Sequence, residues 1–419
     1  MINRDLVIIG GGSAGMAAAV AAYDHGVRDI LILERTDLLG GILNQCIHNG
    51  FGLHEFNEEL TGPEFLTRFA NQVKERGIEY KLGSYVSSIT RDKVVTYSNE
   101  EDGAVQIQAK AIIVAAGCYE RNAGAIGIPG DRVAGIITAG QAQLYLNEYG
   151  YMVGKKVFIL GSGDIGLIMA RRMTLEGAKV LGVAELMPYS NGLNRNIQQC
   201  LKDFDIPLYL SHTVSKTIGK GKLEAIEISQ VDEKLRPIPG TEKRFECDTL
   251  LLSIGLIPNN GLLDNIGVAQ GRSRGSAVNE HLETEIDGIF SCGNVLHVHD
   301  LVDWVVSEGK VAGEAAALYL EGKLNRGSKK IVTVAGDGVG YVVPAEVDLE
   351  EAPEKLQFKF RCRKPTKNVY ITYSLNGNVI KRFYKQTIIP SEMEIDPIPK
   401  SLLTEEGTLT VSLTPKEVK

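Results

Sequence analysis

The sequence contains no C-x-x-C pair, and its six cysteines are scattered along 419 residues. This usage is typical of a reducing compartment, so we expect a cytoplasmic protein without an iron–sulfur cluster or structural zinc held by this chain alone. No apolar run reaches the ~18 residues of a membrane span, and the first predicted strand begins too early to leave room for a signal peptide. The net charge of −7 disfavours binding to nucleic acid or to anionic membranes.

A glycine-rich pattern is present twice, with 151 residues between equivalent positions. Each copy follows a short apolar run, opens a helical stretch rich in alanine, methionine or leucine, and has an acid 19 residues past its last glycine. Two copies in a strand–turn–helix context predict two dinucleotide-binding sites, and such a chain is expected to move electrons between two dinucleotides. The equivalent positions are Gly10 and Gly161, Gly12 and Gly163, Gly15 and Gly166, Gly26 and Gly177, and Glu34 and Glu185.

The residue types of each copy fit the chemistry of a dinucleotide. The first glycine permits a tight turn, the second lets the backbone approach a pyrophosphate, and the third lets a helix lie close to a strand. The pyrophosphate then lies at a helix N-terminus, where free N–H groups and the helix dipole favour an anion. Glu34 and Glu185 are expected to accept hydrogen bonds from ribose hydroxyls. A carboxylate at the second site would repel a 2′-phosphate, which favours NAD(H) over NADP(H). The alternative that one copy is a remnant of the fold without a ligand stays open.

The order of the predicted elements indicates an α/β protein in which one Rossmann-like dinucleotide-binding domain is inserted into another. Buried strands that close on glycine are expected at residues 111–117 and 249–255, and a helix at about residues 303–320. Within that helix, Gly309 and Gly313 would let another backbone approach closely. The predicted domains are a first dinucleotide-binding domain over residues 1–120 and 275–325, an inserted NAD(H)-binding domain over residues 121–274, and a C-terminal β-rich domain over residues 329–419.

The C-terminal region has a different residue pattern from the rest of the chain, with alternating, β-rich runs. Several short β-rich runs follow one another at roughly ten-residue spacing, and Asn376-Gly377 between two of them is typical of a type I′ hairpin. We therefore predict a small β-sandwich-like domain, whose task is contact with a partner or a second copy, or passive stabilisation. The runs are residues 330–334, 341–343, 356–361, 368–374, 379–386 and 409–413.

Residues 1–320 resemble the two-dinucleotide-binding flavoprotein superfamily, which has the fold of thioredoxin and glutathione reductases. The resemblance rests on the two glycine patterns with their acids, the strands at residues 111–117 and 249–255, and the segment 284–294, all in the expected order. It implies FAD in the first domain and NAD(P)H in the inserted one. The last segment usually ends in Gly-Asp, whereas this chain has Asn294, so we expect an altered contact with the ribityl chain and not its loss.

Residues 40–52 (GGILNQCIHNGFG) more closely resemble the FAD/NAD-binding subunits that accompany bacterial glycerol-3-phosphate dehydrogenase-type flavoproteins. Related subunits serve opine oxidases and hydrogen cyanide synthase. In that setting a partner flavoprotein subunit oxidises the carbon substrate, and the present chain exchanges electrons with NAD(H). The implied FAD-binding residues are Gly10, Gly12, Ser13, Ala14, Gly15, Glu34, Arg35, Gly40, Gly41, Ala116, Gly117, Gly293 and Asn294. The implied NAD(H)-binding residues are Gly161, Gly163, Asp164, Ile165, Gly166, Glu185 and Gly255.

In the glutathione reductase-like enzymes that the chain resembles, a redox disulfide follows the Gly-Gly pair, and in thioredoxin reductases a C-x-x-C lies in the inserted unit. Here Cys46 is the only cysteine near the Gly-Gly pair and no C-x-x-C is present, so the resemblance disfavours disulfide reduction. Cys46 is either a redox or flavin-tuning thiol or a packed small hydrophobe, and His48 is a candidate catalytic partner. His297 and His299 have the residue types of a metal site, but the pair lacks a third and a fourth ligand, so no metal is predicted. We expect this segment to lead into the helix near residue 303, whose N-terminus would face the flavin.

The predicted reaction is hydride transfer between nicotinamide C4 and flavin N5, for which the protein aligns the rings and excludes water. No general acid or base is required for that step. The leading hypothesis is an electron-transfer subunit of a multi-subunit dehydrogenase of the glycerol-3-phosphate type. One alternative is a stand-alone NADH oxidase or peroxidase that cycles Cys46 through a sulfenic acid. Another is a non-catalytic scaffold that the nucleotide only stabilises.

Overall fold

The computed structural model describes residues 2–324 and 326–416. The chain forms two compact units, one made of the residues up to Cys118 together with those from Pro258 onward, and the other of Tyr119–Ile257. The predicted fold class, α/β with Rossmann-like sheets, is confirmed. The predicted domain limits stay predictions, and those at residues 1, 325 and 419 lie outside the described residues. Within the described ranges, no helix is both long enough and apolar enough to span a membrane.

The first unit contains a seven-stranded sheet whose central strands are parallel. Alternate side chains of strand Ile2–Ile9 enter two different hydrophobic clusters, so both faces of the sheet are buried, as is usual for parallel strands. The order across the sheet is Glu79–Lys81, Ile30–Leu33, Ile2–Ile9, Gly103–Val114, Val94–Asn99 and Tyr85–Ile89, with Ile289–Ser291 also paired to Gly103–Val114.

Two helices of this unit lie unusually close to each other, Ser13–Asp24 and Val302–Leu320. A Cβ atom added to Gly309 would lie 2.4 Å from the carbonyl oxygen of Ala14. One added to Gly313 would lie 2.2 Å from the carbonyl oxygen of Ala18. The predicted close approach at both glycines is confirmed, and it fixes the second helix against the helix that follows the first glycine turn.

The second unit contains a five-stranded parallel sheet and a three-stranded antiparallel sheet. Helices Ala139–Asn147 and Asp164–Leu175 join the parallel sheet in one hydrophobic cluster. The predicted strand after residue 249 is shorter than expected, ending at Leu252. The parallel order is Ile136–Thr138, Thr249–Leu252, Lys156–Leu160, Lys179–Glu185 and Leu208–Leu210, and the antiparallel order is His212–Lys220, Lys222–Gln230 and Lys243–Phe245.

The C-terminal residues form two further sheets, which share one hydrophobic cluster. All six predicted runs are strands, and Asn376 and Gly377 both have positive φ between paired strands, which confirms the type I′ hairpin. Two strands, Glu346–Asp348 and Glu394–Pro399, were not predicted. The order across the five-stranded sheet is Glu346–Asp348, Lys330–Ala335, Gly407–Pro415, Thr366–Leu375 and Asn378–Ile388. The order across the three-stranded sheet is Val339–Val343, Lys355–Cys362 and Glu394–Pro399.

Shorter elements connect these sheets. Helix Gly62–Glu75 begins with a reciprocal capping box, in which Thr61 and Glu64 each bond the backbone N–H of the other. The other short strands are Asn49–Phe51, Leu60–Thr61, Cys118–Glu120 and Leu256–Pro258. The other helices and helical turns are Gly41–Gln45, Ala123–Ile126, Asn194–Asn196, Ile197–Leu201, Lys202–Phe204, Gly261–Asn265, Gly293–Val295 and Lys400–Leu402.

Candidate functional site

The first glycine turn joins strand Ile2–Ile9 to helix Ser13–Asp24. A Cβ atom on Gly10 would lie 2.4 Å from the carbonyl oxygen of Ala115, so only glycine fits there without a shift of the backbone. A Cβ atom on Gly12 would meet no heavy atom of the described residues within 4 Å. Gly12 is also the N-cap of the helix and offers no side chain to the first N–H groups. The turn therefore leaves open space and unsatisfied donors at a helix N-terminus, which suits a pyrophosphate.

The Glu34 carboxylate accepts three hydrogen bonds, one from this turn and two from Thr36. Its Oε2 accepts from the N–H of Gly11 at 2.7 Å. Its Oε1 accepts from the N–H and the hydroxyl of Thr36, both at 2.8 Å. Because two carboxylate oxygens offer about four acceptor sites, the group can also accept from a ribose hydroxyl.

The second glycine turn repeats this network. Glu185 Oε2 accepts from the N–H of Ser162 at 2.9 Å and from its hydroxyl at 2.6 Å, and Glu185 Oε1 accepts from the N–H of Met187 at 2.9 Å. Ser162 and Met187 lie 151 residues after Gly11 and Thr36, so the sequence repeat extends to the individual hydrogen bonds. Both acids are buried, at 5% and 4% exposure, and each is hydrogen-bonded to its own glycine turn.

The second turn differs from the first in what faces its glycines. Cβ atoms on Gly163 and Gly166 would lie 3.0 Å and 2.6 Å from side-chain atoms of Ser253, whose hydroxyl accepts from the N–H of Gly166 at 3.1 Å. Asp164 begins the helix, and its Oδ1 accepts from the N–H of Leu193 at 2.8 Å and from Asn196 Nδ2 at 2.6 Å. The Asp164 carboxylate is therefore hydrogen-bonded to residues 193–196 of its own unit.

The Gly-Gly pair lies beside the first turn. The N–H of Gly40 donates to the carbonyl of Gly11 at 2.8 Å, and a Cβ atom on Gly41 would lie 3.4 Å from the Cα of Gly12. Two other predicted residues face open surroundings. The Arg35 side chain is exposed, and a Cβ atom added to Gly117 would meet no heavy atom of the described residues within 4 Å. The structure thus brings the Gly-Gly pair and the first fingerprint into one surface.

Cys46 and His48 follow the Gly-Gly pair but have different environments. Cys46 is buried, and its thiol donates to the carbonyl of Ile42 at 3.2 Å. His48 is half-buried, with Nδ1 3.0 Å from the carbonyl oxygen of Asn49 and its ring 5.0 Å from that of Phe51. Their catalytic role stays a prediction.

Sequence reasoning did not assign a role to Asp303, in the first turn of helix Val302–Leu320. Its carboxylate accepts from three backbone N–H groups, those of Gly52 at 3.2 Å, His54 at 3.0 Å and Glu55 at 2.9 Å. The neighbouring Trp304 stacks on the His54 ring at 4.9 Å. These contacts attach residues 52–55, which follow strand Asn49–Phe51, to the helix predicted to face the flavin. The sequence signal that could have indicated this role is an acidic residue in the first turn of a predicted helix, where a negative charge is favourable.

The predicted Gly293–Asn294 turn follows strand Ile289–Ser291. A Cβ atom on Gly293 would lie 2.8 Å from the Cβ of Ala14, which places the turn against the first fingerprint helix. Asn294 Oδ1 accepts from the N–H of His299 at 3.0 Å and lies 3.1 Å from its Nδ1. The amide oxygen thus closes its own loop, and the amide N–H₂ is the group that can donate to a ligand.

The side chains of His297 and His299 converge on Glu308, a residue that the sequence pattern did not connect with them. His297 Nε2 is 2.9 Å from Glu308 Oε1, and His299 Nε2 is 3.5 Å from Glu308 Oε2. Glu308 thus offers a third ligand atom that the sequence pattern did not reveal, and the absence of a metal stays a prediction. A cation is nevertheless already present, because Lys359 Nζ lies 2.7 Å from Glu308 Oε1.

Comparison with known proteins agrees with this geometry. The family model described as pyridine nucleotide-disulphide oxidoreductase matches residues 4–317. The chain is 26% identical over 282 residues to the hydrogen cyanide synthase subunit HcnB of Pseudomonas protegens, covering 62% of this chain and 58% of that protein. It is 24% identical over 353 residues to the glutamate synthase [NADPH] small chain of Mycobacterium tuberculosis, covering 77% and 68%. The crystal structure of T. acidophilum thioredoxin reductase has the same fold, with a TM-score of 0.63 and 23% identity over 77% of this chain and 99% of that one.

Proposed function

Because the chain belongs to the pyridine nucleotide-disulphide oxidoreductase family, whose members bind FAD and NAD(P)H, we propose that it transfers hydride between NAD(H) and FAD as an electron-transfer subunit of a larger dehydrogenase. The observation that carries the proposal is the duplicated network of Glu34 and Glu185. Each carboxylate fixes a glycine turn at a helix N-terminus, as a dinucleotide requires.

The residues of the first unit would hold FAD. The N–H groups after Gly12 would bind the pyrophosphate, and Glu34 would accept from a ribose hydroxyl. Asn294 would donate its amide N–H₂ toward the ribityl chain, where an aspartate would only accept. When bound, the flavin supplies N5 as the site that takes or gives hydride.

The residues of the second unit would hold the nicotinamide dinucleotide. Gly161 and Gly166 shape the turn, and Glu185 would accept from the ribose of the adenosine. A buried carboxylate at that place repels a 2′-phosphate, which supports NAD(H) over NADP(H). The proposal therefore names NADH or NAD as the small-molecule substrate.

The subunit role is supported by the names of two relatives, a hydrogen cyanide synthase subunit and a glutamate synthase small chain. The chain spans 58% of the length of the first of them, so that protein's activity is not carried over. Residues 40–52 support a partner of the glycerol-3-phosphate dehydrogenase type, which would oxidise the carbon substrate. The scattered cysteines support a cytoplasmic location.

Cys46 is the basis of the second candidate function, a stand-alone NADH oxidase or peroxidase. The observation in its favour is that Cys46 ends the helical turn Gly41–Gln45, which begins at the Gly-Gly pair beside the first glycine turn. In that function the thiolate would attack a peroxide, releasing water and leaving a sulfenic acid that NADH-derived electrons reduce. His48 would assist as the neighbouring imidazole.

An anaerobic titration with NADH, followed by visible absorbance, tests the leading proposal. We expect a bound-flavin spectrum that bleaches with one equivalent of NADH, and a weaker response to NADPH. Flavin that NADH leaves oxidised would overturn hydride transfer and favour the non-catalytic scaffold. Turnover of glycerol 3-phosphate by the isolated chain would overturn the subunit role.

A further inference from the structure

A charged cluster without access to solvent lies next to the Gly293–Asn294 turn. Glu308, on helix Val302–Leu320, is 0% exposed, and its Oε2 accepts from the N–H of Gly293 at 2.7 Å. Its Oε1 lies 2.7 Å from Lys359 Nζ and 2.9 Å from His297 Nε2. An isolated carboxylate is costly to bury, so the cation beside it decides whether this arrangement is stable.

The cation comes from the C-terminal β-rich region. In strand Lys355–Cys362, Phe358 and Phe360 enter the core between the two C-terminal sheets. Lys359 and Arg361 lie on the opposite face, where period-2 alternation places them. Among the described residues, Lys359 is the only lysine or arginine that pairs with Glu308.

Neighbouring contacts hold the same strand in place. Arg361 donates to the carbonyl of Val298 at 3.1 Å and to Asp300 Oδ1 at 3.2 Å. Tyr341, on the adjacent strand Val339–Val343, has its hydroxyl 3.3 Å from His297 Nδ1. Lys359 is thus one of several residues of the C-terminal region that contact the segment after Asn294 or the helix that follows it.

The protonation states agree with the geometry. Burial alone would raise the pKa of Glu308, but Lys359 and the two histidines outweigh it and hold that pKa well below its usual range. Burial lowers the pKa of His297 to about 4, so its imidazole is neutral and donates from Nε2 to Glu308. Burial also raises the pKa of Tyr341 to about 12, so its hydroxyl is protonated and donates to His297 Nδ1.

We propose that Lys359 is a positioning residue for FAD, acting through Glu308 on the Gly293–Asn294 turn, so that the C-terminal region is part of the flavin site. Glu308 accepts from the N–H of Gly293 directly. The His299 ring lies between Glu308 Oε2, 3.5 Å from its Nε2, and the amide oxygen of Asn294, 3.1 Å from its Nδ1. The residue after Glu308 is Gly309, whose contact with Ala14 fixes the cluster against the first fingerprint helix. This inference rests on the binding of FAD at the first glycine turn and not on hydride transfer.

A metal ion is the other occupant to consider, since His297, His299 and Glu308 offer three ligand atoms within 4.8 Å of one another. The Lys359 ammonium at 2.7 Å from Glu308 already supplies the positive charge, and an ion would have to displace it. His297 Nε2 also points its proton at the carboxylate, as a donor and not as a ligand. The cluster is therefore better described as an ion pair of Glu308 and Lys359 to which His297 is hydrogen-bonded.

The test compares Lys359→Met with Lys355→Met, an exposed lysine on the same strand. FAD dissociation constants, the visible spectrum of bound flavin and the thermal midpoint of the apoprotein are measured for each variant. We expect Lys359→Met to weaken FAD binding at least tenfold and to shift the flavin spectrum, because breaking one side of a buried pair is costly. Lys355→Met should leave both unchanged.

Two further variants guard against simple misfolding. Lys359→Arg keeps the charge and should retain most of the FAD affinity, and Glu308→Gln combined with Lys359→Met removes both charges and should recover part of it. A lower thermal midpoint with unchanged FAD affinity and spectrum would overturn the proposal and leave Lys359 a purely structural residue. A stoichiometric metal whose chelation releases FAD would also overturn it. Bound FAD that NADH fails to reduce would overturn the proposed function alone.

Discussion

Gly10 allows the first glycine turn to be tested separately from the cofactor. Its φ is +107°, and a Cβ atom there would lie 2.4 Å from the carbonyl oxygen of Ala115. Gly26 has a nearly equal φ of +101°, but the nearest atom to an added Cβ is 3.8 Å away, in the Glu321 side chain. Replacement of each by alanine therefore separates the cost of backbone conformation from the cost of crowding.

The two costs have different sizes. A side chain in an unfavourable backbone region costs ~1–3 kcal/mol, and the reduced freedom of the unfolded chain returns ~0.4–1 kcal/mol. We expect Gly26→Ala to lower the free energy of unfolding by about 1 kcal/mol on this basis. Gly10→Ala adds the collision with Ala115, which overpacking data place at ~1–3 kcal/mol, for a total of about 3 kcal/mol.

Trp304, the only tryptophan, supplies the assay. It lies in the same compact unit as both glycines and stacks on His54 at 4.9 Å, so its emission should report the unfolding of that unit in urea. Gly10→Ala should shift the midpoint about three times as far as Gly26→Ala, at an unchanged denaturant slope. Equal shifts for the two variants would show that the Ala115 backbone yields freely and that close approach does not explain the glycine.

The remaining predictions concern three acidic or thiol side chains. Glu185→Ala should weaken NADH binding about tenfold, since a charge-assisted hydrogen bond contributes ~1.5–3 kcal/mol. It should also reduce the protein's preference for NADH over NADPH, while the FAD content should not change. Fluorescence titration with both nucleotides measures the ratio of their dissociation constants. Burial raises the pKa of Glu280 to about 7 although the N–H of Asp348 opposes it, so the folded state binds more protons than the unfolded state between about pH 4.5 and 7. Its contribution is therefore present below about pH 4.5 and lost as the pH rises through 7, by up to about 3 kcal/mol; Glu280→Gln should flatten that fall in a series of urea titrations. Cys46→Ser should leave peroxide turnover with NADH at the wild-type rate, because the buried thiol donates to the carbonyl of Ile42; a large loss would support the peroxidase function instead.

Local patterns predicted the elements that depend on neighbours in sequence. The glycine turns, the helix from about residue 303 and the Asn376-Gly377 hairpin follow from short-range backbone geometry, and all are present. Strand Glu394–Pro399 was missed because Pro397 and Pro399 disfavour a strand. Its place at the edge of a three-stranded sheet explains why they are tolerated.

The cluster around Glu308 shows what local patterns do not contain. Alternation in strand Lys355–Cys362 correctly puts Lys359 on the face away from the β-sandwich core, and such a face is expected to be solvated. The partner is 51 residues earlier in the chain, and Asp303 is similarly bonded to a loop about 250 residues away. A lysine or an aspartate gives the same signal on a surface and in a buried pair, so only the docked structure distinguishes them.

The acids of the two repeats have a wider role than the one assigned from their position. Glu34 was expected to meet a ribose, yet its carboxylate already accepts from the N–H of Gly11, inside the turn that would carry the pyrophosphate. Glu185 does the same through Ser162. One side chain therefore links the ribose position to the phosphate position. Because the carboxylate fixes the turn through the protein's own hydrogen bonds, less ordering remains to be done when a dinucleotide binds, and affinity rises for that reason. The same bond explains why the repeat keeps glutamate at a fixed distance from the glycines: a shorter aspartate would have to give up one of the two contacts.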